Sequence, residues 1–579
     1  SQIKLSANWM AAAGFTDEHG VSEDQALYEG VRAIGLDLCP KLGIAIPVGK
    51  DSLSMRAQWQ SNVTSGQTGD EVETATQTVV SPMTVVITAF APVTDVATTL
   101  TPELKTHDQV GESQLYWINL SGGVLRLGGS ILAQTLNQLG NQAPDVDSDK
   151  LKQFFNLIQA ARSKALIEAY HDISDGGLAA TLAEMQFTKR VGLDVTLKGD
   201  LIEQLFAEEL GAVVQVTDAN AAKFNDLLSQ HGLTQDVQLV AKLSAEFDGL
   251  KINGELFERA ELERVWSQSS YQIQRMRDNP ACADQEFALI CDPAHTGIQV
   301  HASFDLNEAV EAKFTQAPAQ LKTKPKIAIL REQGVNGQLE MAAGFTRAGF
   351  DAIDVHMSDL ISGRLSLELF QGLVACGGFS YGDVLGAGGG WAKSILLNPA
   401  LKAQFEAFFH KDSSFTLGVC NGCQMVSQLK TMMPGAEHFP RFKYNLSARF
   451  EARTSSVRVE QSNSVLLADM QGSVLPIAVA HGEGLVSATQ ADLEALKAGQ
   501  QVALRYVDSQ GLPTEHYPLN PNGSPEGITG VCSLDGRVTI MMPHPERNLR
   551  AVNHSYKPDE WQGDGAWMRL FRNARVFAG

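Results

Sequence analysis

One short stretch, Thr416-Leu-Gly-Val-Cys-Asn-Gly-Cys-Gln424, constrains this chain more than any other. Residues 415–419 form an apolar run that reads as a strand. It ends directly in Gly418-Val-Cys420-Asn-Gly422, and a helix-like pattern follows at once. Glycines two residues to either side of a cysteine permit a strand–turn–helix in which bulkier side chains would collide. These are the mechanics of a nucleophile elbow, with sulfur in place of oxygen. The helix start behind the cysteine favours a thiolate, and such settings bring a cysteine pKa from about 8.5 down to roughly 3.5–7.5.

The surroundings of that turn repeat one theme. After Pro325, continuous apolar strands at 326–330, 352–356, 373–376 and 415–419 alternate with helices at 339–348 and 396–410. Such alternation indicates a doubly wound, mostly parallel sheet, with ligands at the carboxyl ends of its strands. Upstream the texture is α+β. Residues 1–105 carry a helix near 24–39 and strands at 43–48 and 84–91. Residues 106–265 carry strand 114–120, helices 130–138 and 151–169, and the apolar run 212–216. Residues 266–325 read as a connector with one helix at 271–277, and 326–579 as the α/β domain. The polar stretch 61–78 reads as a surface loop.

At 579 residues the chain has room for several domains of roughly 150 residues. Its net charge of −20 repels phosphate backbones, so no nucleic-acid partner is expected. The most apolar stretch, 79–93, is interrupted by Pro82, Pro92 and polar residues. It reads as a buried strand, and no membrane partner is expected. The first residues have no apolar signal core, and seven irregularly spaced cysteines give no disulfide framework. A reducing cytoplasm is the expected location. The chain begins at Ser1 without methionine, which leads us to expect a piece of something longer.

A nucleophile needs a base. Strand 538–542 leads into Pro543-His-Pro-Glu-Arg547, which sets His544 and Glu546 at a strand's carboxyl end, where they can meet Cys420. His544 would take the thiol proton and Glu546 would orient the imidazole. The loop Gly377-Gly-Phe-Ser-Tyr-Gly-Asp383 offers backbone N–H groups for an oxyanion. Cys420 and Cys423 also form a Cys-x-x-Cys pair. A redox centre or half a zinc site is the competing reading, although a second pair or spaced histidines are missing and neither accounts for the glycine frame.

The first half carries weaker signals. Lys50, in the turn Gly49-Lys-Asp-Ser52, is a phosphate-holding candidate, with a plain exposed lysine as the alternative. Gly123-Val-Leu-Arg-Leu-Gly-Gly-Ser130 nearly spells a P-loop, but Gly129 takes the lysine's place, and that reading is rejected. In Asp172-Ile-Ser-Asp-Gly-Gly177, two carboxylates and a hydroxyl before a helix suit magnesium or simple helix capping, and both stay open.

These phrases carry a resemblance. Gly418, Cys420, Gly422 and Gln424 match the Gly-x-Cys-x-Gly-x-Gln signature of class I glutamine amidotransferase domains over 325–579. Arg331-Glu-Gln-Gly334, Ala480-His-Gly-Glu-Gly484 and Trp567-Met-Arg-Leu-Phe-Arg-Asn573 resemble the phosphoribosylformylglycinamidine synthase family, large single-chain form. Leu5-Ser-Ala-Asn-Trp-Met10, Leu127-Gly-Gly-Ser130 and His171-Asp-Ile-Ser-Asp-Gly-Gly177 resemble the second half of its synthetase core, an ATP-binding type distinct from P-loop enzymes. The resemblance implies a ligase of purine biosynthesis. Cys420 would attack glutamine, with Gly334, Gly377, Gly378, Phe379 and Gln424 holding it, and the ammonia would convert formylglycinamide ribonucleotide to the amidine at the expense of ATP. It further implies Asp172 as a Mg2+ ligand and Ser174 as a nucleotide contact. The family's amino-terminal domain, first synthetase half and a metal-binding segment upstream of Ser1 are missing, so that half is an expected partner. Gly389 stands where family members often carry glutamate. The competing functions are the glutaminase of another triad amidotransferase and a non-catalytic glutamine-sensing or interaction module.

Overall fold

The computed structural model describes residues 2–17, 20–65, 71–140, 142–145, 147–308, 310 and 324–579, in two units, Ser1–Glu263 and Arg264–Gly579. Among the described residues no helix is long and apolar enough to cross a membrane.

The first unit opens with a three-stranded sheet. Lys4–Met10 lies in the centre, with Ala45–Ser52 parallel on one side and Thr84–Phe90 antiparallel on the other. Thr84–Phe90 is not the buried strand expected within 79–93, because Val86, Ile87 and Phe90 are exposed. A continuous apolar run reads the same in sequence whether or not its own chain covers it. The expected loop 61–78 is also corrected. Its two ends belong to a long antiparallel hairpin, Arg56–Ser65 with Glu71–Val80, and residues 66–70 lie outside the described residues. Threonine and valine suit a pleated strand even where polar neighbours give the stretch the composition of a loop, and cross-strand bonds such as Gln58 Nε2 to Thr78 Oγ1 (3.1 Å) knit the pair.

A seven-stranded sheet follows, in the order Glu255–Glu258, Gly249–Ile252, Gly192–Val195, Val237–Ser244, Ser113–Asn119, Gly211–Thr217, Ala169–Asp172. Its period of two is visible in the packing. Leu115, Trp117 and Val213 join Leu178 and Leu182 of helix Gly177–Phe187 on one face. Ile118, Val214 and Val216 join Phe154 and Phe224 of helices Ser148–Ser163 and Asp218–Gln230 on the other. Covered on both faces, Gly211–Thr217 is buried throughout. The helix expected over 151–169 stops at Ser163, and its expected last residue, Ala169, begins the strand Ala169–Asp172. In place of one connector helix the described residues show two, Arg259–Arg277 and Pro280–Ala288, the second started by Asn279, whose side chain accepts from the Ala281 N–H.

The second unit is built on a nine-stranded sheet. The order is Asp351–His356, Lys326–Arg331, Gly372–Ala375, Phe415–Val419, Val538–Met541, Ile528–Cys532, Val502–Tyr506, Glu451–Val459, Val474–His481. The first five strands are parallel and the remaining pairings antiparallel. The chain leaves Lys326–Arg331 for one neighbour and returns to the other, so the winding reverses beside this strand, where a crevice opens at the carboxyl ends. The helix expected over 396–410 runs over Pro399–Phe409, and a separate helix, Gly389–Leu396, precedes it. Asn398 caps Pro399–Phe409, its Oδ1 accepting from the Ala400 (3.0 Å) and Leu401 (3.2 Å) N–H groups.

The helix Asn421–Gln428 lies against Gly372–Ala375 so closely that a Cβ on Gly422 would sit 2.0 Å from the Ala375 carbonyl oxygen. Backbone cannot yield there cheaply. We expect Gly422→Ala to cost about 1–3 kcal/mol or more, read as a lower urea midpoint; an unchanged midpoint would show that the turn has slack.

Candidate active site

Cys420 stands between strand Phe415–Val419 and helix Asn421–Gln428 with φ +53° and ψ −114°. A non-glycine residue held there stores on the order of 1–3 kcal/mol and persists only where its surroundings fix it. Here the Cys420 N–H donates to the Met541 carbonyl at 3.0 Å, and its carbonyl accepts from the Gln424 N–H at 3.0 Å. The thiol faces the Ala480 carbonyl at 3.6 Å.

His544 follows the adjacent parallel strand Val538–Met541, and its N–H donates to the Ala478 carbonyl at 2.8 Å. The ring is 1% exposed, with Nδ1 2.6 Å from Glu546 Oε1. A buried carboxylate at that distance makes Nδ1 the protonated nitrogen and turns Nε2 toward the site. Burial opposes a charge on His544, but the Glu546 carboxylate, with the Cys420 sulfur behind it, outweighs burial and raises its pKa. Gly377 lies between the two side chains: a Cβ there would be 2.7 Å from His544 Cε1 and 3.1 Å from Cys420 Cβ.

A cavity of about 460 Å³ opens over Cys420 and His544, walled by Gly378, Phe379, Asn421 and Gln424 among others. Gly334 stands behind this wall, its carbonyl accepting from the Phe379 N–H at 3.3 Å, and the Gly377 carbonyl accepts from the Gly337 N–H at 3.1 Å. All the residues expected around glutamine thus meet at one end of one sheet. Four others line the same cavity without a role among the expected site residues, Asp383, Asn421, His481 and Glu483. Asn421 donates to Asp383 (2.9 Å), the Ala387 N–H donates to Glu483 Oε2 (3.2 Å), and the Gln424 amide donates to the Glu483 carbonyl. Two loops and the helix Asn421–Gln428 are thereby cross-tied. The signal was polar side chains set among glycines at strand ends.

His481 is 3% exposed and neither ring nitrogen has a partner, while burial, together with the charge of His544, pushes its pKa down to about 3. It is neutral in the fold yet takes a proton near the ordinary 6.5 when unfolded. The unfolded state therefore binds more protons between about pH 6.5 and 3, and stability falls as pH drops through that window. We expect His481→Gln to flatten the fall in urea midpoint between pH 7 and 4; equal slopes in both proteins would contradict it.

Cys423 is fully buried, and burial pushes its thiol well above the ordinary value. Among the described residues no group of three or more His, Cys, Asp or Glu is placed to hold a metal ion.

In the first unit, Lys50 is exposed on strand Ala45–Ser52 beside a recess containing Trp9 and Tyr28. Asp172 ends strand Ala169–Asp172, and Ser174 follows in the turn; both are exposed. Neither caps the helix that follows, since Gly176 occupies the cap without a side-chain bond. The turn is held by Glu208, whose Oε1 accepts from the Gly176 (2.8 Å) and Ile131 (2.9 Å) N–H groups. Asp172 lies near Tyr170, whose pKa is raised first by burial and then by that carboxylate. Asp172 and Asp175 lie exposed in the same turn, and one or two such carboxylates suit a magnesium ion whose remaining ligands are waters and substrate phosphates.

Three family models match the chain. Residues 324–578 match the CobB/CobQ-like glutamine amidotransferase domain, 1–92 the FGAR-AT PurM_N-like domain, and 117–250 the AIR synthase related protein, C-terminal domain. Among solved structures, PurLQS from Thermotoga maritima is similar at 23% identity over 44% of this chain and 100% of that one (TM-score 0.34). T. maritima PurL complexed with ATP is similar at 13% identity over 44% of this chain and 36% of its own (TM-score 0.28). E. coli HypE, a hydrogenase maturation protein, follows at 19% over 43% and 70% (TM-score 0.29). The chain thus spans just over a third of that PurL. The chain joins an amidotransferase domain to two synthetase-type domains, a domain set that supports a phosphoribosylformylglycinamidine synthase, a glutamine-dependent ligase.

Proposed function

We propose that the second unit is a glutaminase that feeds ammonia to the synthesis of formylglycinamidine ribonucleotide. The observation that carries this reading is the buried 2.6 Å pair of His544 and Glu546 beside Cys420, at the ends of adjoining parallel strands. The Cys420 thiolate attacks the side-chain carbonyl carbon of glutamine, and the oxyanion is received by the Gly378 and Asn421 N–H groups. His544 gives its proton from Nε2 to the departing nitrogen, releasing ammonia and leaving a glutamyl thioester. His544 then takes a proton from water, which attacks the thioester, and glutamate leaves with Cys420 restored.

In the synthetase reaction ATP phosphorylates the amide oxygen of formylglycinamide ribonucleotide. Ammonia displaces phosphate, giving the amidine, ADP and phosphate. The family matches over residues 1–92 and 117–250 support this assignment. Ser174 and Lys50 are the residues we assign to nucleotide contacts and Asp172 the one that would hold Mg2+, and the family's first synthetase half is the partner we assign. Glutamate release from glutamine by the chain tests the glutaminase. Glutamine binding without glutamate would instead mark a sensing module.

A further inference from the structure

We propose that Asp383 is a positioning residue that sets the oxyanion donors, an inference resting on the glutaminase reading above. The two donors belong to different elements, Gly378 to the loop after strand Gly372–Ala375 and Asn421 to the start of helix Asn421–Gln428. Their separation fixes the hole, and something must fix their separation. Asp383 spans the gap. Its Oδ1 accepts from Ser380 Oγ (2.8 Å) and the Gly388 N–H (2.8 Å), which ties the loop to itself, and its Oδ2 accepts from Asn421 Nδ2 (2.9 Å), the residue after the nucleophile. Hydrogen bonds to a carboxylate are shorter and stronger than neutral ones.

The packing leaves the loop little other freedom. A Cβ on Gly388 would lie 2.5 Å from the Met425 nitrogen, and one on Gly382 would lie 2.9 Å from the Gly390 Cα. Gly388 is therefore pressed onto helix Asn421–Gln428 and Gly382 onto helix Gly389–Leu396, and the carboxylate sets the register of the first contact. Asn421 is 2% exposed, and its Oδ1 has no partner. Its tether to the loop therefore runs through the Nδ2 contact with Asp383.

Asp383→Asn isolates the tether. The amide oxygen still accepts from Ser380 and Gly388, but the charged acceptor that holds the Asn421 NH2 is lost and only a neutral amide faces Asn421. In the full chain, Asp383→Asn and Asp383→Ala should each lower glutaminase kcat about tenfold to a hundredfold, as small misplacements of catalytic groups do, with KM for glutamine within about threefold. Two probes separate positioning from general damage. Iodoacetamide alkylates Cys420 by displacement of iodide and forms no oxyanion, so its rate should stay within about twofold. Glutamate γ-semialdehyde adds Cys420 to give a hemithioacetal with an oxyanion, so its affinity should fall with kcat. An unchanged kcat in Asp383→Asn, or an alkylation rate that falls in step with kcat, would overturn the assignment. Failure of the underlying glutaminase reading shows separately, as glutamate release that survives Cys420→Ala.

Discussion

Cys420→Ala takes glutamate release from glutamine down to background, a fall in kcat on the order of 10⁶, as loss of a nucleophile from a catalytic unit does. The size follows from the division of labour at the site. Without sulfur no thioester forms, and water would have to attack the amide directly from a pocket shaped around a side chain. Loss of the thiol also leaves the rest of the molecule nearly untouched. Cys420 is 5% exposed, it is fixed by backbone bonds to Met541 and Gln424, and alanine keeps both. The variant should therefore bind glutamine with ordinary affinity. In the variant together with the partner half proposed above, synthesis driven by ammonium salts in place of glutamine should continue at its normal rate, because that route bypasses the sulfur. Cys423→Ala is the control. That thiol is sealed in the core with a raised pKa, so only packing changes. Substantial glutamine hydrolysis by Cys420→Ala would remove the thiol from the chemistry.

The turn was legible in the sequence because geometry permits few residues there. A strand that must reverse into a helix within three residues leaves no room for a Cβ at Gly422, and that exclusion is written in the composition. His544 and Glu546 were legible for a related reason: a short apolar strand followed by Pro-His-Pro-Glu has one place to go in a parallel sheet. Asp383 and His481 were harder. Asn421 lies 38 residues from Asp383, and nothing local reveals that Asp383 reaches it or that His481 is buried near His544. The hairpin at Arg56–Val80 failed for the opposite reason, because its local composition is that of a loop and only cross-strand pairing makes it a strand. The exposed apolar side of Thr84–Phe90 shows where periodicity stops: it gives the face of a strand, not what covers it.

Exchange of His544 is the second large effect, a fall of about 10² to 10⁴ in glutaminase turnover for His544→Gln, since proton transfer is removed while the sulfur stays. The loss should be strongly non-additive with Cys420→Ala, because both act in one step. The pH profile carries the sharper test. Burial alone would drive the His544 imidazole to neutrality, and the Glu546 carboxylate, with the Cys420 sulfur, reverses this. The imidazolium form, which hands a proton to departing ammonia, therefore persists well above the ordinary imidazole pKa of about 6.5. The basic limb of kcat/KM should lie correspondingly high. In Glu546→Gln the carboxylate charge is gone and burial, the largest influence on His544, acts with only the sulfur against it. The folded pKa falls, and the basic limb moves to lower pH while the acid limb changes less. Glu546→Gln also leaves an acceptor for the Nδ1–H, so the ring keeps its orientation and the shift reports charge rather than collapse. A basic limb that stays in place in Glu546→Gln, measured under saturating and limiting glutamine, would mean that the 2.6 Å contact orients the ring without tuning it.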